Sequence, residues 1–331
     1  MNIKRILVCG PNWIGDGVMA MPALQMFREQ TPDCTVSMLV KPAMGVLWAM
    51  HPDVDEVLLL PPGLRGIFQA AARLRETTWE AAYVLPNSVR ATLPVRLGGI
   101  ATRIGFARSQ GRLLLTHRVA QIEGPERRHQ AYEALDLLLP DCGEQRLPPP
   151  RIEVPEADRH EATRLLPGEE TRWIGILPGA SRGPSKRWPA GHFHALSEQL
   201  SREDNTRIVL MGGSAERSLC ESVAQGLSPH AVNLAGHTTL SLWAALLERC
   251  RVVVCNDSGG MHLAAAVGTP VVALFGQTDP SITGPLGRAE VLQRSTVKSR
   301  DIARDSEEAR KSLASIPPEQ VYEAVRRMSD R

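Results

Sequence analysis

Three short stretches of this chain carry residue types that could do chemistry. The first, Gly10-Pro-Asn-Trp-Ile-Gly15-Asp16-Gly17, has the glycine spacing of a phosphate-binding loop but puts Asp-Gly where such a loop needs Lys-Ser/Thr. A carboxylate there repels phosphate, which argues against ATP hydrolysis, and no GxGxxG dinucleotide fingerprint takes its place. Asp16, on a tight strand-to-helix turn, could take a proton from an incoming hydroxyl. It could equally cap a helix beginning at Val18. The second stretch, Pro178 to Pro189, is a small-residue loop with three cations, Arg182, Lys186 and Arg187. Its amides, the Ser181 hydroxyl and the Lys186 ammonium could hold a diphosphate, or the loop could be plain solvated surface. The third, Asn256-Asp257-Ser258-Gly259-Gly260-Met261-His262, joins an apolar strand to a helix. Ser258, Gly259 and Gly260 are small enough to let a phosphate reach the unpaired amides of the first turn. Asp257 does not favour phosphate and suits a helix cap or a ligand hydroxyl, while His262 lines the site or packs structurally.

Two further patterns imitate sites. Asp53-Val-Asp55 matches the DxD by which metal-dependent sugar transferases hold a divalent ion, but it precedes a strand, at the opposite end from the three loops, and reads as a turn. Ser88 has no GxSxG elbow to make it a hydrolase nucleophile. The elements that must position the loops are legible as an alternation of apolar runs and helical patterns. Strands are expected at Arg5–Cys9, Val36–Val40, Val57–Leu60 and Ala82–Leu85, with helices at Val18–Phe27, Gly45–Met50 and Gly66–Arg75. Near Leu147-Pro-Pro-Pro150 the pattern stops, and proline can neither pair in a sheet nor continue a helix, so this tract is the expected linker. The alternation restarts with strands at Trp173–Leu177, Arg207–Met211, Val252–Cys255 and Val271–Phe275. Helices at Ala190–Ser201, Glu216–Gln225, Met261–Val267 and Pro318–Met328 separate or follow them, the charged stretch Lys298 to Lys311 preceding the last. Continuous apolar strands between helices imply parallel sheets covered on both faces, hence an α/β fold of two doubly wound Rossmann-like domains, 1–150 and 151–331. Such a pair binds ligand at the carboxyl ends of its strands, in a cleft between the domains.

At 331 residues, with 43% hydrophobic and 22% charged residues, the chain is long enough for two cores and too apolar for disorder. No apolar run could span a bilayer and no signal-peptide pattern precedes the first strand, so a cytoplasmic location is expected. The six cysteines are scattered without a CxxC pair, which indicates small core residues rather than disulfides or zinc. A net charge of +2 gives no reason to expect a nucleic-acid partner. The charge is unevenly spread: from Arg65 to Arg128 eleven arginines and no lysine stand against four acids, a net of +7. Arginine forks suit phosphates and carboxylates, so a polyanionic ligand or an anionic membrane face is one reading and a set of solvated loop charges the other.

Four ordered motifs now stand together: Gly15-Asp-Gly-Val-Met-Ala-Met-Pro22, Tyr83-Val-Leu-Pro-Asn87-Ser88, Pro178-Gly-Ala-Ser181 with Lys186-Arg-Trp-Pro189, and Asn256-Asp-Ser-Gly-Gly-Met-His-Leu-Ala-Ala-Ala266. Over nearly the whole chain they resemble the bacterial lipopolysaccharide heptosyltransferases of glycosyltransferase family 9, most of all the subgroup that adds the second inner-core heptose. The resemblance implies a GT-B fold, with an acceptor-binding domain at 1–150 and an ADP-sugar donor-binding domain at 151–331. It implies inverting, metal-independent transfer of L-glycero-D-manno-heptose from ADP-heptose to the first heptose on a Kdo-lipid A acceptor, without cofactor. By the same resemblance Asp16 is the general base, and Lys186 and Ser181 hold the diphosphate and stabilise the leaving ADP with help from the Ser258 to Met261 amides. Glu216, after Gly212-Gly213-Ser214, would hold the donor ribose and Asp257 a heptose hydroxyl. His262 would line the donor site, while Asn87, Ser88 and Arg90 would contact the acceptor. The arginine-rich half would then face phosphates and Kdo carboxylates at the inner leaflet of the inner membrane, a peripheral and salt-sensitive attachment. One departure is that Val291 to Ser315 lacks the cysteines many relatives carry there. Competing readings are specificity for the first or third heptose, a nucleotide-sugar epimerase or dinucleotide oxidoreductase on similar domains, and a noncatalytic nucleotide-sugar binding protein.

Overall fold

The structure, a computed structural model, describes residues 4–122, 128–143, 145–299 and 302–329. Glu123, Glu126 and Arg127 of the arginine-rich segment, and positions 300 and 301 of the charged stretch, lie outside the described residues. The chain divides into two compact units, Met1–Glu153 and Val154–Arg331. The proline tract expected as a linker is held on the first unit. The Gln25 amide donates to the Pro149 carbonyl at 3.0 Å and accepts from the Arg151 N–H at 3.2 Å.

The first unit runs β1 (Arg5–Cys9), α1 (Ile14–Gln30), β2 (Thr35–Val40), α2 (Pro42–Ala49), β3 (Glu56–Leu59), α3 (Gly63–Arg75), β4 (Ala81–Val84), α4 (Val89–Leu97), β5 (Arg103–Phe106), β6 (His117–Val119) and α5 (Ala131–Leu138). Its six strands lie in the order β3-β2-β1-β4-β5-β6, every neighbouring pair parallel. Apolar side chains repeat every three or four residues on α3 (Ile67, Ala70, Leu74) and α4 (Ala91, Val95). They bury one stripe of each helix against Leu7, Cys9, Ala82 and Val84 of the sheet. Helix α1 starts at Ile14 rather than Val18, with Trp13 as its N-cap residue. Pro22 sits within it and cannot donate to the Val18 carbonyl.

The second unit contains α6 (Glu156–Leu165), β7 (Arg172–Leu177), α7 (Ala190–Ser201), β8 (Thr206–Leu210), α8 (Arg217–Ala224), β9 (Ala231–Asn233), α9 (Leu240–Arg249), β10 (Val252–Asn256), α10 (Gly259–Ala266), β11 (Val271–Phe275), α11 (Pro280–Thr283), β12 (Ala289–Gln293), α12 (Glu307–Ala314) and α13 (Pro318–Ser329). Strand order is β12-β11-β10-β7-β8-β9, again all parallel. Phe193, Leu196 and Leu200 of α7, Val223 of α8 and Val321 and Val325 of α13 close over Ile174, Ile176, Ile208, Val252 and Val272. Truncating one such buried side chain to alanine costs about 2–5 kcal/mol. In each sheet the chain starts at a central strand, builds outward to one side and returns to build the other. Connections therefore leave β1 and β4, and β7 and β10, in opposite directions and open a crevice at the strands' carboxyl ends. The sequence-predicted reactive loops all follow these four strands or their immediate neighbour β8.

Candidate active site

In the second unit the crevice lies beyond β7 and β10, and one side chain fastens its two walls. Asn256, the last residue of β10, is completely buried, so each of its amide groups must find a partner. Its Nδ2 donates to the Pro178 carbonyl at 2.9 Å and the Gly179 carbonyl at 3.3 Å, and its Oδ1 accepts from the Trp188 N–H at 2.9 Å. Both ends of the 178–189 loop are thereby held to β10. Trp188, itself buried, adds a bond from its indole Nε1 to the Ile316 carbonyl at 3.0 Å. Gly183 takes a φ of +113°, which a side chain would strain, and a 3-10 turn at Pro184–Lys186 follows. The loop is thus an anchored structure in its Trp188 half, while Ser181 stands exposed at its tip.

That anchoring places Lys186 against Asp257. The ammonium donates to Asp257 Oδ2 at 2.5 Å, and each side chain is only 10% exposed. Asp257 is therefore an ion-pair partner and not the helix cap: Ser258 occupies the N-cap position of α10, and its side chain makes no capping bond. The first amides of α10 follow directly, adjoining the cation with the positive end of a helix dipole. Gly260 is small for a packing reason rather than to admit a phosphate, since a Cβ there would come within 2.7 Å of Leu177 and 3.0 Å of Trp243. Met261 and His262 are buried in the first turns of α10.

Glu216 comes from the neighbouring β8 end. It closes a 3-10 turn at Ser214–Glu216, and its Oε2 accepts from the Gly213 N–H at 2.9 Å. Its carboxylate lies over the backbone of two glycines. A Cβ at Gly179 would fall 1.7 Å from Oε1, and one at Gly212 2.6 Å from Oε2. Only glycine at 179 lets this carboxylate reach the end of β7, beside the Asn256 contact. The second unit thus gathers a held cation, a helix N-terminus and a carboxylate at one sheet edge, a set suited to a diphosphate carrying a hydroxyl-bearing group.

In the first unit, Asp16 lies in the first turn of α1, at the carboxyl end of β1. Because the helix is already under way at Ile14, Asp16 does not cap a helix at Val18. Its Oδ1 accepts from Gln130 Nε2 at 3.1 Å, and the side chain stays partly exposed. Two glycines of this loop are explained by close packing. A Cβ at Gly10 would meet Val40 at 2.7 Å, and one at Gly17 would meet Leu47 at 3.0 Å and Met44 at 3.1 Å. Across the crevice, beyond β4, Asn87 is exposed in a bend and Ser88 caps α4, its Oγ accepting from the Ala91 N–H at 3.3 Å. Arg90 reaches back to donate to the carbonyls of Gly63, at 3.0 Å, and Pro61.

The DxD carboxylates are committed elsewhere. Asp53 pairs with Arg151 at 3.2 Å, and Asp55 pairs with Arg28 at 2.6 Å and accepts from the Val36 N–H at 2.7 Å. Among the described residues no group of three or more His, Cys, Asp and Glu is gathered as for a metal. Five cysteines are buried and Cys142 is half-buried. Burial pushes the Cys9 and Cys220 thiols up to about 12, which makes them inert packing groups. Sequence reasoning missed Asn256, Trp188 and Gln130 as positioning residues. Asn256 had a signal, an amide closing the apolar run Val252–Cys255. Gln130 had none, because its partner Asp16 is far away in sequence.

Comparison with known proteins gives the family and the fold. A family model described as glycosyltransferase family 9 (heptosyltransferase) matches residues 67–311. The chain belongs to glycosyltransferase family 9. This glycosyltransferase is 31% identical to lipooligosaccharide heptosyltransferase 2 of Haemophilus ducreyi, over 98% of this chain and 99% of the relative. It is also 31% identical to lipopolysaccharide heptosyltransferase 2 of Escherichia coli, over 97% of each chain. The solved structure of the E. coli ADP-heptose lipopolysaccharide heptosyltransferase II superposes with a TM-score of 0.85 at 29% identity, over 98% of both chains. The two parallel six-stranded sheets are those of the GT-B architecture found in that enzyme.

Proposed function

We propose that this glycosyltransferase moves L-glycero-D-manno-heptose from ADP-heptose to the first heptose of the lipopolysaccharide inner core, on heptosyl-Kdo2-lipid A. The observation that carries the reading is the Lys186–Asp257 pair, held at the β7/β10 crevice by Asn256 beside the open N-terminus of α10. It supports a donor carrying a diphosphate, and the resemblance to heptosyltransferase 2 enzymes supports the sugar and acceptor. The second unit takes the donor. Lys186, the Ser181 hydroxyl and the Ser258 to Gly260 amides hold the diphosphate, the Met261 amide being spent on the Ser258 carbonyl at 3.2 Å. Glu216 takes a ribose hydroxyl, His262 lines the site, and Asp257 orients Lys186 while facing the heptose.

The first unit takes the acceptor through Asn87, Ser88 and Arg90. Asp16 accepts the proton of the attacking hydroxyl, whose oxygen bonds to the anomeric carbon from the face opposite ADP. The bond from that carbon to the diphosphate oxygen breaks as the new one forms, so the product is inverted. Negative charge then collects on ADP, where Lys186 and the helix amides offset it, so no metal or cofactor has a role. The enzyme works in the cytoplasm, peripheral to the inner leaflet that carries the acceptor, with no nucleic acid involved.

Asp16→Asn keeps the size of the side chain and its bond with Gln130 while removing the base. Turnover falls roughly 10²-fold or more, the scale of losing a general base. Calorimetric affinity for ADP stays at the wild-type value. Unchanged turnover in the variant would refute the assignment of Asp16.

A further inference from the structure

The first unit carries apolar surface that its own core does not use. Helix α3 buries Ile67, Ala70, Ala71 and Leu74 against the sheet, yet on its outer side Leu64 is 72% and Phe68 62% exposed, one helical turn apart. Two more large apolar side chains are exposed on the elements that follow, α4 packing on α3 and the 3-10 turn on α4. Val89, 44% exposed, opens α4, and α4 is tied to the start of α3 by the Arg90 bonds to Pro61 and Gly63. Leu113, 81% exposed, sits in the 3-10 turn Arg112–Leu114, which packs on α4 so closely that a side chain at Gly111 would collide with Thr92. Isolated exposed leucines need no explanation, but a row of four across adjoining elements does.

Charge identifies what covers this row. Arg65 and Arg112 are exposed immediately next to Leu64 and Leu113. From Ala81 to Ile122 there are six arginines and neither an aspartate nor a glutamate. From Gly63 to Leu114 the three elements and their links hold eight arginines against two acids, Glu76 and Glu80, both past the last turn of α3. Apolar side chains in such a basic setting complement an anionic lipid surface, the rings and methyls entering the headgroup boundary while guanidinium groups meet lipid phosphates. No described helix is long and apolar enough to cross a membrane, so the contact is one of lying on the surface.

We propose that the α3, α4 and Arg112–Leu114 face of the first unit docks on an anionic bilayer, with Leu64, Phe68, Val89 and Leu113 inserting. The inference rests on the lipid-linked acceptor proposed above, since a membrane-anchored substrate requires an enzyme that meets the bilayer. The docking face and the residues Asp16, Asn87 and Ser88 all lie in segments that follow carboxyl ends of strands in the same parallel sheet.

The test compares the full chain with Leu64→Ser/Phe68→Ser in sedimentation with vesicles of phosphatidylcholine alone and of phosphatidylcholine containing phosphatidylglycerol. The wild-type chain binds the anionic vesicles and not the neutral ones, and added salt weakens the binding. The double variant binds them about tenfold more weakly, the scale of withdrawing two apolar side chains from the interface. It keeps wild-type turnover on a delipidated, water-soluble acceptor. Equal vesicle binding by both proteins would overturn the proposal, as would no binding by the wild type. A dimer in solution that the double variant dissolves would instead assign the face to a second copy of the chain and overturn it too. Vesicle binding that follows the pattern, with no transfer to the soluble acceptor, would keep the docking face and refute the transferase reading.

Discussion

Lys186 carries a full positive charge on a side chain that is largely withdrawn from water, and such a charge persists only with a partner. Asp257 is that partner, and in the reaction proposed above the donor's diphosphate would add a second anion to the same ammonium. Lys186→Ala removes one charge-assisted contact to the donor and weakens ADP binding about 10- to 100-fold by calorimetry. An unchanged dissociation constant would remove Lys186 from the donor site. Residue type and spacing made much of this site legible. A lysine in a Gly/Pro/Ser loop after one strand and Asn-Asp-Ser-Gly-Gly after another mark a candidate anion site before any fold is known, although the first loop alone reads equally well as solvated surface. The Lys186–Asp257 pairing could not be read, because the residues are remote in sequence and meet only when β7 and β10 become neighbours. The glycines misled for a related reason. A small residue marks a close approach without saying whether backbone, side chain or ligand makes it, and at Gly10, Gly17 and Gly260 it is a neighbouring side chain.

At the scale of elements, the central strands were the easiest to read, because burial on both faces leaves them as unbroken apolar runs such as Ile174–Leu177 and Val271–Phe275. Strands β6 and β9 escaped notice: they are three-residue edge strands, His117–Val119 and Ala231–Asn233, with partial exposure and polar residues. The start of α1 was misplaced because Gly15 and Gly17 look like loop residues; both lie in the helix, and Gly17 packs closely against Met44 and Leu47 of α2 despite its low propensity. The corner after α2 also sets a pH dependence. His51 is buried there, its Nδ1 accepting from the Asp53 N–H at 3.1 Å and its ring against Trp48. Burial, opposed by Asp53 and aided by Arg151, pushes its pKa from 6.5 down to about 4. The unfolded chain therefore binds a proton that the folded one refuses, and stability is lost as pH falls from about 6.5 toward about 4. The full loss is about 3 kcal/mol. His51→Gln flattens this slope; urea midpoints that follow pH identically in both proteins would show that His51 does not titrate this way.

At the scale of the whole molecule, two units of one architecture carry opposite local chemistry at equivalent places. Beyond β1 and β4 the chain offers a carboxylate and hydroxyl- and amide-bearing residues; beyond β7 and β10 it offers a paired cation and the N-terminus of α10. That division of labour is the one a glycosyl transfer needs, a base for the acceptor and charge relief for the leaving group. The low net charge conceals a local asymmetry, since the segment from Arg65 to Arg128 carries a net +7 that acids elsewhere in the first unit largely offset. The most direct measurement is mass-spectrometric detection of transfer from ADP-heptose to acceptors bearing either no heptose or one, with and without chelator. The account predicts addition of one heptose to the monoheptosylated acceptor alone, unaffected by chelator. Transfer to the heptose-free acceptor, or turnover abolished by chelator, would contradict it.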